Sequence, residues 1–372
     1  MENPLGSLRV QIDSIDEKLV TLFVQRMALA DDVATAKLKN NIAITDAGRE
    51  QQVIDQALAG ADPRDNGSIT LLMRTVMALS RDRQRNRLHT KPIELLPAPR
   101  PHNPKAACAY AGAPGAWGEV AAQKLMPQGQ LSDHEYFEDV FAAVKKGVTD
   151  YGVLPIENSQ TGAIGEVYDL LKTHGLYIVG QVQVPIRHCL MAKPGATLAD
   201  IREVFSHPQG FLQCHNYLKK HRFFQTTCSN TATAALHVHE APGHAFAAIG
   251  SARAAEINGL VVLDDQIVDS TANRTRFVLV APQPEYDAHS SVISVTFSTA
   301  HRSGALCEAL LPFLCSGINL SRIESRPESQ DQYRFFADLQ GNFQDADVMS
   351  ALRQAAASCA YFEVLGCFGT TA

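Results

Sequence analysis

The sequence predicts a chain built in three different parts: all-α, then α/β, then α+β. Three observations carry this. Proline clusters divide the chain into segments of about 1–90, 105–281 and 290–372. The first segment spaces its apolar residues by alternating steps of three and four, the period of a buried helix face. The later segments alternate short strand-like runs with helical stretches. A length of 372 residues fits two or three domains.

Composition excludes several classes. The chain has 33 Lys+Arg against 39 Asp+Glu, a net charge of −6, so nothing in the overall charge attracts nucleic acid or an anionic membrane. No apolar run approaches the ~20 residues that cross a bilayer. Met1-Glu2-Asn3-Pro4 has neither the basic nor the apolar region of a secretory signal. Cysteines at 108, 189, 214, 228, 307, 315, 359 and 367 form no C-x-x-C. They read as reduced, mostly core thiols of a cytoplasmic protein.

The first helix begins after Asn3-Pro4, an N-cap followed by proline at the first helical position. Leu5, Leu8, Ile12, Ile15, Leu19, Leu22, Leu29 and Val33 form its seam. At 1.5 Å per residue a helix of roughly 35 residues is ~50 Å long and needs partner helices, expected from a second chain. Arg26 interrupts the seam. Lys37, eleven residues on, falls within ~20° of the same face. Two cations on one buried face require an anionic partner. Arg9 lies ~25 Å from Arg26 along the axis and on another face, within reach of the same ligand only from an antiparallel partner chain.

Asp46 caps a second helix that carries Arg49 and Glu50. A third, from about Ser68 to Arg87, places Ser80 and Gln84 on one face. Arg81, Arg83, Arg85 and Arg87 are spaced by two, spread around the cylinder, and read as a solvated helix end. Arg9, Arg26, Lys37, Asp46, Arg49, Glu50, Ser80 and Gln84 together resemble the binding set of the all-helical chorismate mutases. The resemblance implies an intertwined three-helix homodimer that rearranges chorismate to prephenate. It gives Arg9 and Arg26 the substrate carboxylates, Lys37 and Gln84 the ether oxygen, and Glu50 the ring hydroxyl. Asp46 and Arg49 support them. A pericyclic step needs only a held conformer and stabilised charge.

Residues 91–104 contain Pro92, Pro97, Pro99, Pro101 and Pro104 and read as a stiff, extended linker. Beyond it, Ala106–Ala111, Tyr151–Pro155, Tyr177–Val184, Glu203–Ser206, Ala245–Ile249 and Thr275–Val280 read as buried strands. Helices are expected over Glu138–Lys146, Ile164–His174, Gln209–His221 and Thr231–His239, giving a largely parallel sheet. Ligands of such sheets bind beyond the carboxyl ends of the strands. The polar loops there are Gly112 to Gly118, Pro155-Ile156-Glu157-Asn158-Ser159, Ser206-His207-Pro208-Gln209 leading to Gln213, and Asn273-Arg274-Thr275-Arg276-Phe277. The first matches no nucleotide-binding pattern.

With His188-Cys189-Leu190, these loops resemble the prephenate dehydratase family across 105–281. The resemblance implies two α/β lobes around a cleft, similar to type II periplasmic binding proteins, and loss of water and CO₂ from prephenate. It makes Thr275 the donor to the leaving hydroxyl, with Glu157 as its proton relay. It gives Asn158, Ser206, Gln209 and Gln213 the orienting of substrate and Arg276 the carboxylates. Trp117-Gly118 departs from the family's Tyr/Phe followed by Ser/Thr, so a hydroxyl expected near the substrate is missing. His237, His239 and His244 do not present a metal-binding face, and no metal or cofactor is expected.

After a break at Pro282-Gln283-Pro284 through Ser290, the last segment reads βαββαβ, the ferredoxin-like order. Ser303 and Asp345 are expected to cap its helices, and Pro312 to kink or shorten the first. Gly304-Ala305-Leu306 and Glu324-Ser325-Arg326-Pro327 resemble the phenylalanine-binding signatures of ACT regulatory domains. The implied partners are thus chorismate, prephenate and L-phenylalanine, the last as feedback inhibitor, in a homodimer or a larger assembly. Three alternatives stand beside this reading: a dehydratase whose helical segment only dimerises, a bilobal sensor without turnover, and arogenate as substrate.

Overall fold

A computed structural model describes residues 4–40, 42, 44, 46–88, 96–329 and 332–371. Asn3 and Pro92, and the side chains of Arg85 and Arg87, lie outside the described residues. The N-terminal part is three helices: α1 (Pro4–Lys39), α2 (Ala47–Leu58) and α3 (Asn66–Leu88). Asp46 caps α2 as expected, its carboxylate accepting from the Arg49 backbone N–H at 2.9 Å. Met27, Ala30 and Ala34 of α1 are buried, as are Ile54 of α2 and Met77 of α3. The predicted seam is not: Leu5, Leu8, Ile12, Ile15, Leu19 and Leu22 are each more than half exposed in the single chain.

The middle part runs β1 (Ala107–Ala111), α4 (Trp117–Leu125), β2 (Gln130–His134), α5 (Phe137–Lys145), β3 (Tyr151–Asn158), β4 (Gly162–Ala163), α6 (Gly165–His174) and β5 (Tyr177–Pro185). Then follow β6 (Cys189–Ala192), β7 (Glu203–Ser206), α7 (Pro208–Gln213), α8 (His215–His221), β8 (Phe224–Thr227), α9 (Thr231–Glu240), β9 (Phe246–Gly250), α10 (Ala252–Ile257), β10 (Val261–Asp264) and β11 (Arg274–Ala281).

The expected parallel sheet is instead two mixed sheets. One has the order β16-β5-β11-β3-β1-β2, with β4 on β3. The other has the order β10-β6-β9-β7-β8. The chain leaves the first sheet after β5 and returns as β11, which pairs antiparallel with both β3 and β5. A strand that re-enters from a second lobe has no crossover helix to set it parallel.

The C-terminal part is β12 (Val292–Ser298), α11 (Ala305–Cys315), β13 (Leu320–Ser329), β14 (Gln332–Gln340), α12 (Ala346–Ser358), β15 (Tyr361–Phe368) and β16 (Thr370–Thr371). Its sheet, β13-β14-β12-β15, is antiparallel throughout. Asp345 caps α12 through the Asp347 N–H at 2.9 Å. Ser303 does not cap α11: Gly304 holds that position at φ +79° with no side-chain bond. Pro312 does not end α11, which continues to Cys315.

From Leu96 on, the proline-rich stretch is fastened to the rest of the chain. Buried Glu285 accepts from Arg100 at 2.7 Å and the Tyr151 hydroxyl at 2.8 Å, and pairs with His102 at 2.8 Å. Leu96 is buried in the C-terminal core. None of the eight cysteines forms a disulfide, but Cys307 and Cys315 are exposed on α11 rather than in a core. Among the described residues no helix is long and apolar enough to cross a membrane.

The C-terminal part is locked to the first lobe. β16 continues that lobe's sheet beside β5. A bulge in β15 brings Gly366 against β5, where a Cβ would lie 1.9 Å from the Ile178 carbonyl oxygen. Gly366→Ala is therefore expected to cost about 1–3 kcal/mol by overpacking. Thermal unfolding checks this: the midpoint falls for Gly366→Ala and holds for Gly369→Ala, where the nearest atom is 4.0 Å away.

Candidate active sites

Two pockets gather the polar residues singled out in the sequence. In the helical part, Arg26, Lys37, Asp46, Arg49, Glu50, Ser80 and Gln84 line one pocket of about 400 Å³. Helix periodicity explains the convergence: α1 contributes the two cations and α3 the hydroxyl and amide one turn apart. Arg26 donates to the Ser80 hydroxyl and to the Val76 carbonyl. Burial lowers its pKa from the ordinary arginine value. Lys37 donates to the Ile44 carbonyl, which leaves further ammonium protons for a ligand. The Gln84 side-chain oxygen is buried with no protein partner. Arg9, also on α1, does not line this pocket.

Arg81 was read as part of a solvated helix end and is instead buried. It pairs with Glu50 and, at 3.3 Å, with Glu308 on α11. Arg302 holds the same Glu308 at 2.6 Å. Arg83 is bidentate on Asp31, at 2.7 and 3.0 Å. Of this run only Arg81 is buried among the described side chains; Arg83 remains exposed while it holds Asp31.

The second pocket, a cleft of about 470 Å³, lies between the two α/β lobes. Thr275 and Asn158 are register partners on β11 and β3. The Asn158 amide donates to Thr275 Oγ1 at 2.9 Å and to Asn273 Oδ1 at 2.8 Å. Its own oxygen accepts the backbone N–H groups of Gln160 and Thr161 at 2.9 and 3.2 Å. Because Thr275 Oγ1 already accepts, its proton is left to be donated into the cleft.

From the other lobe, Gln209 and Gln213 line the cleft. Gln213 Oε1 meets Nε2 of His188 at 2.9 Å, and burial lowers the His188 pKa, so a neutral imidazole donates there. His207 Nδ1 accepts from the Gln209 N–H at 3.2 Å, which leaves its Nε2 as the donor. The sequence reading missed the contributions of Ser229, Asn230 and Thr231. Their signal was an N-cap: Asn230 accepts from the Thr233 N–H at 2.8 Å at the start of α9.

Three expected cleft residues lie elsewhere. Ser206 is fully buried and donates to the Ile249 carbonyl at 2.9 Å, beneath Gly210. Glu157 and Arg276 are register partners on the opposite face from Asn158 and Thr275, because side chains alternate along strands. Arg276 bonds Asp338 of β14 at 2.7 Å and Gln181 at 3.1 Å. Burial works to lower the Arg276 pKa, but Asp338 and Glu157 outweigh it and leave it raised. Glu157 receives Arg322 of β13 at 3.0 Å. So Glu157 is not placed to relay a proton to Thr275, and Arg276 does not face the cleft.

In the C-terminal part, Ala305 is buried at the start of α11 and Leu306 packs on the core. Glu324, Ser325, Arg326 and Pro327 lie on β13, an edge strand. Glu324 is paired with Arg322. The Arg326 guanidinium lies over Gly165, where a Cβ would come within 2.0 Å of it. Among the described residues no cluster of ligating side chains suits a metal. His237 stacks on Phe205 and His239 bonds the Asn258 carbonyl at 2.8 Å.

A cation-lined helical pocket and a donor-lined cleft between α/β lobes define a multidomain enzyme acting on small anions. Family models match both parts: chorismate mutase type II over residues 8–85 and prephenate dehydratase over 108–285. A bifunctional chorismate mutase/prephenate dehydratase of Escherichia coli (strain K12) is 33% identical over 380 residues, 99% of this chain and 96% of that relative. Arogenate dehydratase/prephenate dehydratase 6, chloroplastic, of Arabidopsis thaliana is 37% identical over 295 residues, 74% of this chain and 71% of that relative. The crystal structure of prephenate dehydratase from Arthrobacter aurescens in complex with L-Phe superposes with a TM-score of 0.64 at 29% identity, over 71% of this chain and 89% of that one. The chain belongs to the family of bifunctional chorismate mutase/prephenate dehydratases.

Glu50 depends on Arg81 for its position. Arg81→Ala is expected to lower mutase turnover about tenfold while dehydratase turnover holds, measured on one preparation. Equal loss of both would mean that Arg81 acts on folding alone.

Proposed function

We propose that the chain rearranges chorismate in the helical pocket and dehydrates prephenate in the cleft, with phenylalanine regulating the second step. The observation that carries it is the separation of two built sites in one chain. The helical pocket is cationic and the cleft is lined by neutral donors.

In the first site Arg26 takes one carboxylate and Arg9 of the partner subunit the other. The exposed seam of α1 supports a second copy packed along it, since contiguous apolar surface of that length marks an interface. Lys37 and Gln84 stabilise charge developing on the ether oxygen, and Glu50, held by Arg81, orients the ring hydroxyl.

In the cleft Thr275 donates to the departing hydroxyl while the C–CO₂ bond breaks and its electron pair enters the ring. Water and CO₂ leave, and aromatisation drives both. The turnover consumes one proton, resupplied from solvent. Thr275 is positioned by Asn158, and Gln209 and Gln213 orient the substrate. No Asp, Glu, Lys or Arg is among the residues lining the cleft. Positive potential comes instead from helix N-termini that open on it, among them α4 and α9. Without a carboxylate to pair an ammonium, the cleft favours the keto acid prephenate over arogenate.

The four-stranded unit is an ACT domain in this reading, with Gly304-Ala305-Leu306 and edge strand β13 forming a phenylalanine site between two copies. Eight cysteines without a disulfide suit a reducing cytoplasm.

Arg26→Ala is expected to lower mutase turnover a hundredfold or more with dehydratase turnover kept. Thr275→Ala does the reverse, by roughly a hundredfold or more. Parallel loss in both variants would reject separate sites. L-phenylalanine is expected to slow the dehydratase of the intact chain, and calorimetry that detects no binding would remove the sensor.

A further inference from the structure

Position 118 has no room for a side chain. A Cβ on Gly118 would lie 2.1 Å from the Ala111 carbonyl oxygen, so the hydroxyl that the family resemblance leads one to expect there has no place in this backbone. The preceding residue, Trp117, is the chain's single tryptophan and lines the cleft beside Asn158, Thr275 and His188. Its indole Nε1 is buried with no partner in the protein. A buried N–H without an acceptor costs free energy unless a ligand satisfies it.

The indole is held in place. Its ring meets the His188 ring edge-on at 5.8 Å and 67°. The turn that carries it is wedged between the lobes. Gly115 is at φ +91°, with a Cβ position 2.7 Å from the Ala254 backbone, and its carbonyl accepts from Ser251 at 2.6 Å. Glu119, two residues after Trp117, accepts from Arg253 at 3.3 Å across the same gap.

We propose that Trp117 is a substrate-binding residue of the dehydratase cleft. Its indole N–H donates to an acceptor oxygen of the bound keto acid, in place of the hydroxyl that position 118 does not carry. This rests on the dehydratase reading of the cleft. An indole N–H is a donor only, so it favours a carboxylate or carbonyl oxygen.

Trp117→Phe keeps the ring and removes the donor. With prephenate as substrate, kcat/KM is expected to fall roughly ten- to a hundredfold, the loss of a hydrogen bond to a charged acceptor. Most of the fall is expected in KM, since the bond forms in the ground state as well. Mutase turnover in the same sample reports that the chain is folded. A kcat/KM within twofold of the parent chain would overturn the proposal. A parent chain that made no phenylpyruvate would overturn the dehydratase reading instead. Should Trp117→Phe fail to fold, the unaltered ¹⁵N-labelled protein decides. Saturating phenylpyruvate shifts its one indole N–H resonance downfield if the bond forms, and an unmoved resonance rejects it.

Discussion

The pairing of β3 with β11 is the constraint on which the dehydratase half depends. Tyr151 and Val153 of β3 face one core, and Leu154 and Ile156 the other. Continued alternation would turn Glu157 into the cleft and Asn158 away from it. A register shift intervenes: Phe277 pairs with Pro155 while Arg276 pairs with Glu157, so Ile156 is the extra residue of a bulge. One inserted residue reverses the two faces beyond it. Asn158 then meets Thr275 over the cleft, and Glu157 meets Arg276 on the side of the C-terminal unit.

That reversal shows where sequence reasoning stops. Pro155-Ile156-Glu157-Asn158-Ser159 was legible as a polar strand end, and Asn273-Arg274-Thr275-Arg276-Phe277 as another polar stretch of the same segment. Which of two adjacent polar residues faces the substrate was not, because the answer depends on a bulge set by the partner strand. Ser206 failed differently. It lies in a recognisable loop, but close packing of Gly210 above it leaves its hydroxyl bonded to a carbonyl beneath. The mixed sheets were illegible for a related reason: buried strands of either direction are apolar runs, and β11 takes its direction from the lobe it returns from.

The helical half was more legible because helix geometry is local. Eleven residues place Lys37 on the face of Arg26, and four place Gln84 one turn beyond Ser80, whatever surrounds them. What remained hidden involved a second surface. Arg81 reads as a solvated charge until Glu50 of α2 and Glu308 of α11 are brought to it. The seam of α1 reads correctly as apolar, yet a single chain leaves it exposed.

Both substrates are anions, and the two sites meet that charge by different means. The helical pocket uses full cations, each tied to a neighbour: Arg26 to Ser80 and Lys37 to Ile44. The cleft uses helix ends and neutral donors, and the Arg276 guanidinium is held away from it by Asp338. A cation paired with the carboxylate that must leave as CO₂ would stabilise the ground state and slow its loss. Arg276, bonded to Asp338, is instead a tie to the C-terminal unit. Arg322 and Asp338 of β13 and β14 thus grip Glu157 and Arg276, each adjacent in the chain to a member of the Asn158–Thr275 pair. Both ion pairs tie β13 and β14 to the chain neighbours of Asn158 and Thr275.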